Sequence, residues 1–315
     1  MSGVTPGAFV PVAATHRSGF RESVHFAAAV GLAPDGSVDV AFGDPGVVTF
    51  PRSSNKPLQA QAMIECGWAP DLEQLAVACA SHAGTPRHLA VVESTLAAAG
   101  LTAADLGNTP ALPLDQAAAE AVLRAGGAPS PLLQNCSGKH AAMVATCVVN
   151  GWDTAGYLAA EHPLQATITE RYAELTGQAG AAAVFVGIDG CGAPTHAASL
   201  TGLAASYAAL AAERGPVWEA MTRWPDLVDG AGRTVTRLME AVPGLMAKAG
   251  AEGVFAAALP DGRAAAVKVA DGSSRAVGLV IAEVLRRLGV AVDPAEFADP
   301  ILGHGHPVGS VDLLV

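Results

Sequence analysis

Apolar and polar positions alternate from Val24 to Leu32, break at Pro34-Asp35-Gly36 and resume from Val38 to Phe42, which predicts a β-hairpin around a tight turn. A third strand, Val47 to Phe50, is predicted after Asp44-Pro45-Gly46. Near the other end Gly253 to Leu259, the turn Pro260-Asp261-Gly262 and Ala264 to Ala270 predict a second hairpin. Between the hairpins the punctuation is helical. Thr85-Pro86 opens a helix that closes at Gly100, His162-Pro163 opens one that closes at Gly177, and Ser273-Ser274 opens the last, ending near Gly289. The apolar run Ala181 to Val186 reads as a short buried strand leading into Asp189-Gly190-Cys191, and Met1 to Ala14, interrupted by Pro6 and Pro11, as a loose lead-in.

Strands at both ends around a helical middle predict an α/β fold, a single mixed sheet flanked by helices. Neither a linker nor an internal repeat is visible, so one domain over 1–315 is expected, its helical middle, roughly 54–250, forming a lobe.

Composition narrows the partners. Hydrophobic residues make up 51% of the chain, enough for a large core, yet no run reaches the ~18 apolar residues of a membrane span. The start lacks the basic region of a secretory signal, which makes cytoplasmic the expected location. Five cysteines, an odd number, point to reduced thiols and not a disulfide framework. A formal charge of −11 without a basic cluster argues against nucleic acid and leaves a small molecule as the expected partner.

Candidate chemistry lies with the lysines, of which there are four against fourteen arginines. A buried lysine can shift its pKa and act as a neutral base, whereas arginine keeps its proton. Lys56 stands in Arg52-Ser53-Ser54-Asn55-Lys56-Pro57. Ser-x-x-Lys at a helix start puts a hydroxyl and an amine one turn apart, so that Lys56 could take the proton of Ser53; Ser53 or Ser54 as a plain N-cap is the alternative. Ser81, in Cys79-Ala80-Ser81-His82, is either a second site hydroxyl or a turn residue. Lys268 interrupts an apolar strand and must be paired or deprotonated if that strand is buried. Lys139 follows Cys136 by one turn, and Cys191 lies in a glycine-rich turn; two thiolates and a nitrogen could hold zinc, although spacing alone favours core or loop cysteines. Cys66 and Cys147 read as packing residues, and Lys248, between Met246 and Gly250, as an ordinary surface lysine in a helix. Gly-x-Ser-x-Gly, Gly-x-x-x-x-Gly-Lys and Gly-x-Gly-x-x-Gly are all missing, which removes elbow-hydrolase, nucleotide and dinucleotide readings.

In order along the chain, Arg52-Ser53-x-x-Lys56-Pro57, Cys79-Ala80-Ser81-His82, Asn135-Cys136-Ser137-Gly138-Lys139-His140, His162-Pro163-Leu164-Gln165, Asp189-Gly190-Cys191 and Lys268 with Asp271-Gly272 resemble the class 3 L-asparaginases, the rhizobial, thermolabile-type "asparaginase II" group. The resemblance implies a serine β-lactamase or penicillin-binding-protein-like fold and release of ammonia from L-asparagine. It further implies two catalytic pairs, Ser53 with Lys56 and Ser81 with Lys268; substrate contacts from Arg52, His140 and Asp189; zinc on Cys136, Lys139 and Cys191; and a homodimer. Val235 stands where the rhizobial enzyme is expected to carry a cysteine, and no Ser-Asp-Asn element is present, which argues against β-lactam hydrolysis. A serine-lysine acylase or esterase for another small amide or ester, and a non-catalytic amide sensor, are the competing readings.

Overall fold

The computed structural model describes residues 4–315; Met1, Ser2 and Gly3 of the expected lead-in lie outside the described residues. The chain divides into two compact units, one of Met1–Ser54, Ala197–Glu213 and Leu238–Val315, the other of Asn55–His196 and Arg214–Arg237.

The first unit holds the main sheet. Its strands are β1 (Val10–Arg17), β2 (Phe20–Leu32), β3 (Val38–Phe42), β4 (Met246–Gly250), β5 (Val254–Ala258), β6 (Ala264–Val269), β7 (Ile301–Gly303) and β8 (His306–Leu313). They lie in the order β7-β8-β1-β2-β6-β5-β4, with β3 also paired to β2. The β2/β6 ladder joins the two chain ends, with Lys268 opposite Ala28 and Val267 opposite Ala29. Every ladder of this sheet is antiparallel, where a mixed sheet was the expectation: five pairs are hairpins, and the β1/β8 and β2/β6 pairs, which join segments distant in sequence, run antiparallel as well. Strands β5 and β6 are buried along their whole length. Helices Leu200–Glu213 and Val277–Arg287 both pack on β2, β5 and β6, which explains a run of alanines and valines without polar alternation.

Four local expectations are corrected. The lead-in becomes strand β1 from Val10, held between β2 and β8, since Pro11 sits at the ladder's irregular start. The third strand shrinks to Val48–Thr49 and pairs with Ala198–Ser199, not with the hairpin. Ala181 to Val186 is a 3-10 turn at Ala181–Ala183 followed by a short strand, Val186–Ile188, with Phe185 and Ile188 exposed; three alanines offer too little apolar area to bury the run. Lys248 lies in β4, not in a helix, and is buried, its Nζ donating to the Ala249 carbonyl at 2.7 Å. Pairing of Lys248 with Ala256 overrides the helical propensity of Met, Ala and Lys.

The second unit is mainly helical. It contains α1 (Lys56–Glu65), α2 (Leu72–Ala78), α3 (Pro86–Ala98), α4 (Ser137–Asn150) and α5 (Pro163–Leu175). Proline opens α3 and α5, and α2 starts with a capping box in which Asp71 and Gln74 satisfy one another's backbone N–H groups. Helix α4 is central. It packs on α1, α2, α3 and α5, and its residues from Ser137 to Cys147 are all buried. A side chain at Gly138 would run into Val77, both its Cγ1 and its carbonyl oxygen, so α4 approaches the end of α2 only because that position is bare.

Gly138→Ala tests this contact. Alanine is worth about 1 kcal/mol over glycine in a helix interior, but overpacking against a backbone carbonyl costs about 1–3 kcal/mol. Net destabilisation is expected in urea unfolding, and a gain in stability would show that the α2/α4 contact is not tight.

Candidate active site

Four chain segments carry most of the candidate residues. Arg52–Asn55 forms a single 3-10 turn that runs into α1, so Lys56 is the first residue of that helix, with Pro57 behind it. The segment after α2 is fixed by two backbone bonds, Ser81 N–H to the Val228 carbonyl at 3.0 Å and His82 N–H to the Asn135 carbonyl at 3.2 Å. Cys136 is the residue before α4, and Lys139 and His140 occupy its first turn. The hairpin of Val186–Ile188 with Pro194–His196 presents Asp189 and Cys191 in its loop.

Lys56, 1% exposed, lies with Nζ 2.5 Å from the Ala80 carbonyl, 3.2 Å from Ser81 Oγ and 3.2 Å from Cys136 Sγ. Lys139, equally buried, donates to Cys191 Sγ at 3.2 Å. Cys191 in turn hydrogen-bonds Cys136, which pulls the Cys136 thiol well below its ordinary value against the opposing effect of burial; Lys56 and Lys139 pull the same way. That bond pushes Cys191 up, and burial adds to it, so one thiol of the pair ionises and the other keeps its proton. Position before a helix start also favours a Cys136 thiolate. The result is a buried chain of amine, thiolate, thiol and amine. Cys147, further along α4, shows the contrast: burial, helped by the charge of Asp153, pushes it up to about 11.

Lys139 is penalised by burial, yet the hydrogen-bonded Cys191–Cys136 pair, the charge of Asp189 and the bond to Cys191 raise it above its ordinary value. His140 and His82 are both held well below the ordinary imidazole range, chiefly by burial. His82 Nε2 meets Ser137 Oγ at 2.9 Å, tying the post-α2 segment to α4.

The sheet unit carries the remaining candidates. Lys268 is buried on β6 as expected, and its Nζ donates to the carbonyls of Glu252, at 2.5 Å, and Val269, at 2.9 Å. Burial lowers its pKa, Glu252 and Asp271 oppose this, and Arg52 adds to it. Arg52 itself has φ of 54°, a left-handed conformation that a residue with a side chain adopts only under constraint. Ser53, next to it, is half-buried.

Lys56, Ser81, Cys136, Lys139, Cys191, His140 and Asp189 thus belong to one unit, while Arg52, Ser53 and Lys268 belong to the other. Lys56 meets Ser81, a contact that along-chain spacing could not reveal. Tyr157, whose hydroxyl touches His140, went unsuspected; its signal was scarcity, since the chain has three tyrosines and all three are fully buried.

A family model described as L-asparaginase II matches residues 13–313. The chain belongs to the L-asparaginase II family. The motifs singled out above all fall inside the matched span, and membership marks the chain as an asparaginase-type hydrolase. No protein of curated function matches significantly. Among solved structures, a β-lactamase (Mb2281c) from Mycobacterium bovis is similar over 83% of this chain and 94% of its own at 19% identity and a TM-score of 0.42, too slight a likeness to carry an inference.

The pKa of Lys268 has a measurable consequence. A lowered folded-state pKa means that the folded protein disfavours the ammonium relative to the unfolded chain, whose lysine titrates near 10.4. That handicap is full below the folded pKa and fades as pH rises toward about 10.4. In denaturant titrations at stepped pH, the stability of wild type relative to Lys268→Met should therefore climb through the alkaline range. A pH-independent difference would show that Lys268 is not perturbed.

Proposed function

We propose that this protein is an amidohydrolase that releases ammonia from L-asparagine to give L-aspartate, by serine-lysine nucleophilic catalysis. The observation that carries the reading is the Lys56 amine, buried, 3.2 Å from a serine hydroxyl and fixed by a carbonyl and a thiol. A neutral Lys56 would donate its two hydrogens to Ala80 O and Cys136 Sγ and keep its lone pair for a serine proton. The serine oxygen then attacks the side-chain amide carbon, the proton passes to the leaving ammonia, and water hydrolyses the acyl-enzyme. A binding-only protein has no need of such an arrangement. Family membership supports asparagine over other amides.

Ser53 with Lys56 and Ser81 with Lys268 are the proposed catalytic pairs, Ser53 being the nucleophile by its spacing. Arg52, His140 and Asp189 are assigned to the substrate. A second reading follows from the contact itself: Lys56 touches Ser81, which would make Ser81 the acylated residue.

Zinc belongs to the same proposal. Among the described residues no three His, Cys, Asp or Glu side chains are grouped to hold a metal, so lysine would have to complete the set. The donors fit: Cys136, Cys191 and Lys139 already form one hydrogen-bonded line, and a divalent cation would replace the protons held there, with water as fourth ligand. Bound zinc would supply positive charge that holds the substrate's anionic end. We assign the chain to the class 3 subtype, acting as a homodimer in the cytoplasm; its cysteines are all free, which agrees with a reducing compartment. No helix among the described residues is long and apolar enough to cross a membrane.

Alanine at each serine separates the readings. Ser53→Ala should lower ammonia release from asparagine by several orders of magnitude, as loss of a nucleophile does, and abolish the acyl-enzyme seen by mass spectrometry. Turnover near wild type in Ser53→Ala together with loss in Ser81→Ala would transfer the role to Ser81. Unaltered activity in both variants would refute serine catalysis, and a protein that cleaves other amides or esters but not asparagine would refute the substrate.

Chelation addresses the metal. A positioning role predicts that metal-free protein shows a raised KM with kcat little changed, because a serine and its base supply the nucleophile. Normal asparagine binding with all turnover lost would put zinc into the chemistry, and metal analysis finding none on purified protein would remove it.

A further inference from the structure

His140, fully buried in the first turn of α4, has two ring nitrogens in unlike surroundings. Nδ1 lies 2.6 Å from Tyr157 Oη, and Nε2 is buried with no partner among the described residues. Tyr157 Oη also receives the backbone N–H of Gly107 at 2.9 Å, a bond whose direction is fixed because an amide N–H can only donate. Burial raises the Tyr157 pKa, so the phenol keeps its proton. With Gly107 on one lone pair, the phenol's own proton is left to point along the short contact to Nδ1. Nδ1 is then the acceptor, and the single proton of a neutral imidazole sits on Nε2.

Gly107 gives independent support. A Cβ there would come within 3.2 Å of Tyr157 Cε1 and 3.3 Å of its hydroxyl, so the loop backbone packs closely on the phenol and a side chain at this position would crowd it. An unpartnered buried donor costs about 1–3 kcal/mol, and the opposite tautomer would avoid it. Here that escape is closed by the phenol. The ring also lies within reach of the charges of Lys139 and Lys56, which places it beside the amine–thiol chain.

We infer that Tyr157 is a positioning residue that, with Gly107, fixes His140 in its Nε2–H tautomer, so that the imidazole offers a buried donor to a carbonyl or carboxylate oxygen of the substrate. The identity of that acceptor rests on the amidohydrolase reading; the tautomer does not.

The test uses full-length protein labelled with 15N at histidine, at one fixed neutral pH, with the His140 ring signals assigned by their loss in His140→Asn. Wild type should show the Nε2–H pattern, and Tyr157→Phe should shift it to Nδ1–H or a mixture. The same variant should raise KM for L-asparagine about tenfold, the scale of one buried hydrogen bond, with kcat within about threefold. An Nδ1–H ring in wild type overturns the inference even if Tyr157→Phe fails to fold. So does an unchanged tautomer in the variant, or a changed tautomer with unchanged KM. Should the protein release no ammonia from asparagine, the amidohydrolase reading fails while the spectrum still decides the tautomer.

Discussion

Burial of two lysine amines among thiols is the constraint on which the helical unit turns. Moving an ammonium out of water costs several kcal/mol even after the protein relaxes, and side-chain geometry must return most of it. Lys56 and Lys139 meet a carbonyl, a hydroxyl and two sulfurs, of which only the sulfurs can become anionic. The first residue of α1, the segment after α2, the start of α4 and the loop before Pro194–His196 must all arrive together for either amine to be tolerated. Each thiol alone would sit, like Cys147, well above the range in which it ionises.

In the sheet unit the same residue type is accommodated differently. Lys268 is held by two backbone carbonyls, which favour donation but supply no full charge, and the carboxylates that act on it are opposed by burial and by Arg52. Its ammonium is therefore held less firmly than in water, whereas Lys139 among thiols holds its ammonium more firmly. The two lysines are thus shifted in opposite directions by what surrounds them.

Elements governed by local rules were legible in the sequence. Both hairpins and the three proline-opened or serine-opened helices formed close to their expected limits, because turn residues and caps act over a few positions. Lysine scarcity drew attention to Lys56, Lys139 and Lys268, all of them buried, and it misjudged Lys248, whose burial follows from pairing with a strand that begins six residues later. Ser-x-x-Lys reports neighbours along one turn, yet the hydroxyl seen at Lys56 belongs to a residue 25 positions on. Tyr157 reaches His140 from outside α4, and no periodicity encodes such a meeting. What stayed hidden was tertiary: contacts that exist only after several segments are placed.

The left-handed turn at Arg52 bears on any attempt to make the protein more robust. A side chain in that conformation costs about 1 kcal/mol, which glycine would recover, so consensus-style stabilisation would single out this position. Glycine would also delete the guanidinium that adds to the lowering of the Lys268 pKa by burial. Backbone ease and the electrostatics of Lys268 are thus set against each other at a single backbone angle, and a library screened for melting temperature alone would be drawn toward variants whose Lys268 holds its proton more firmly.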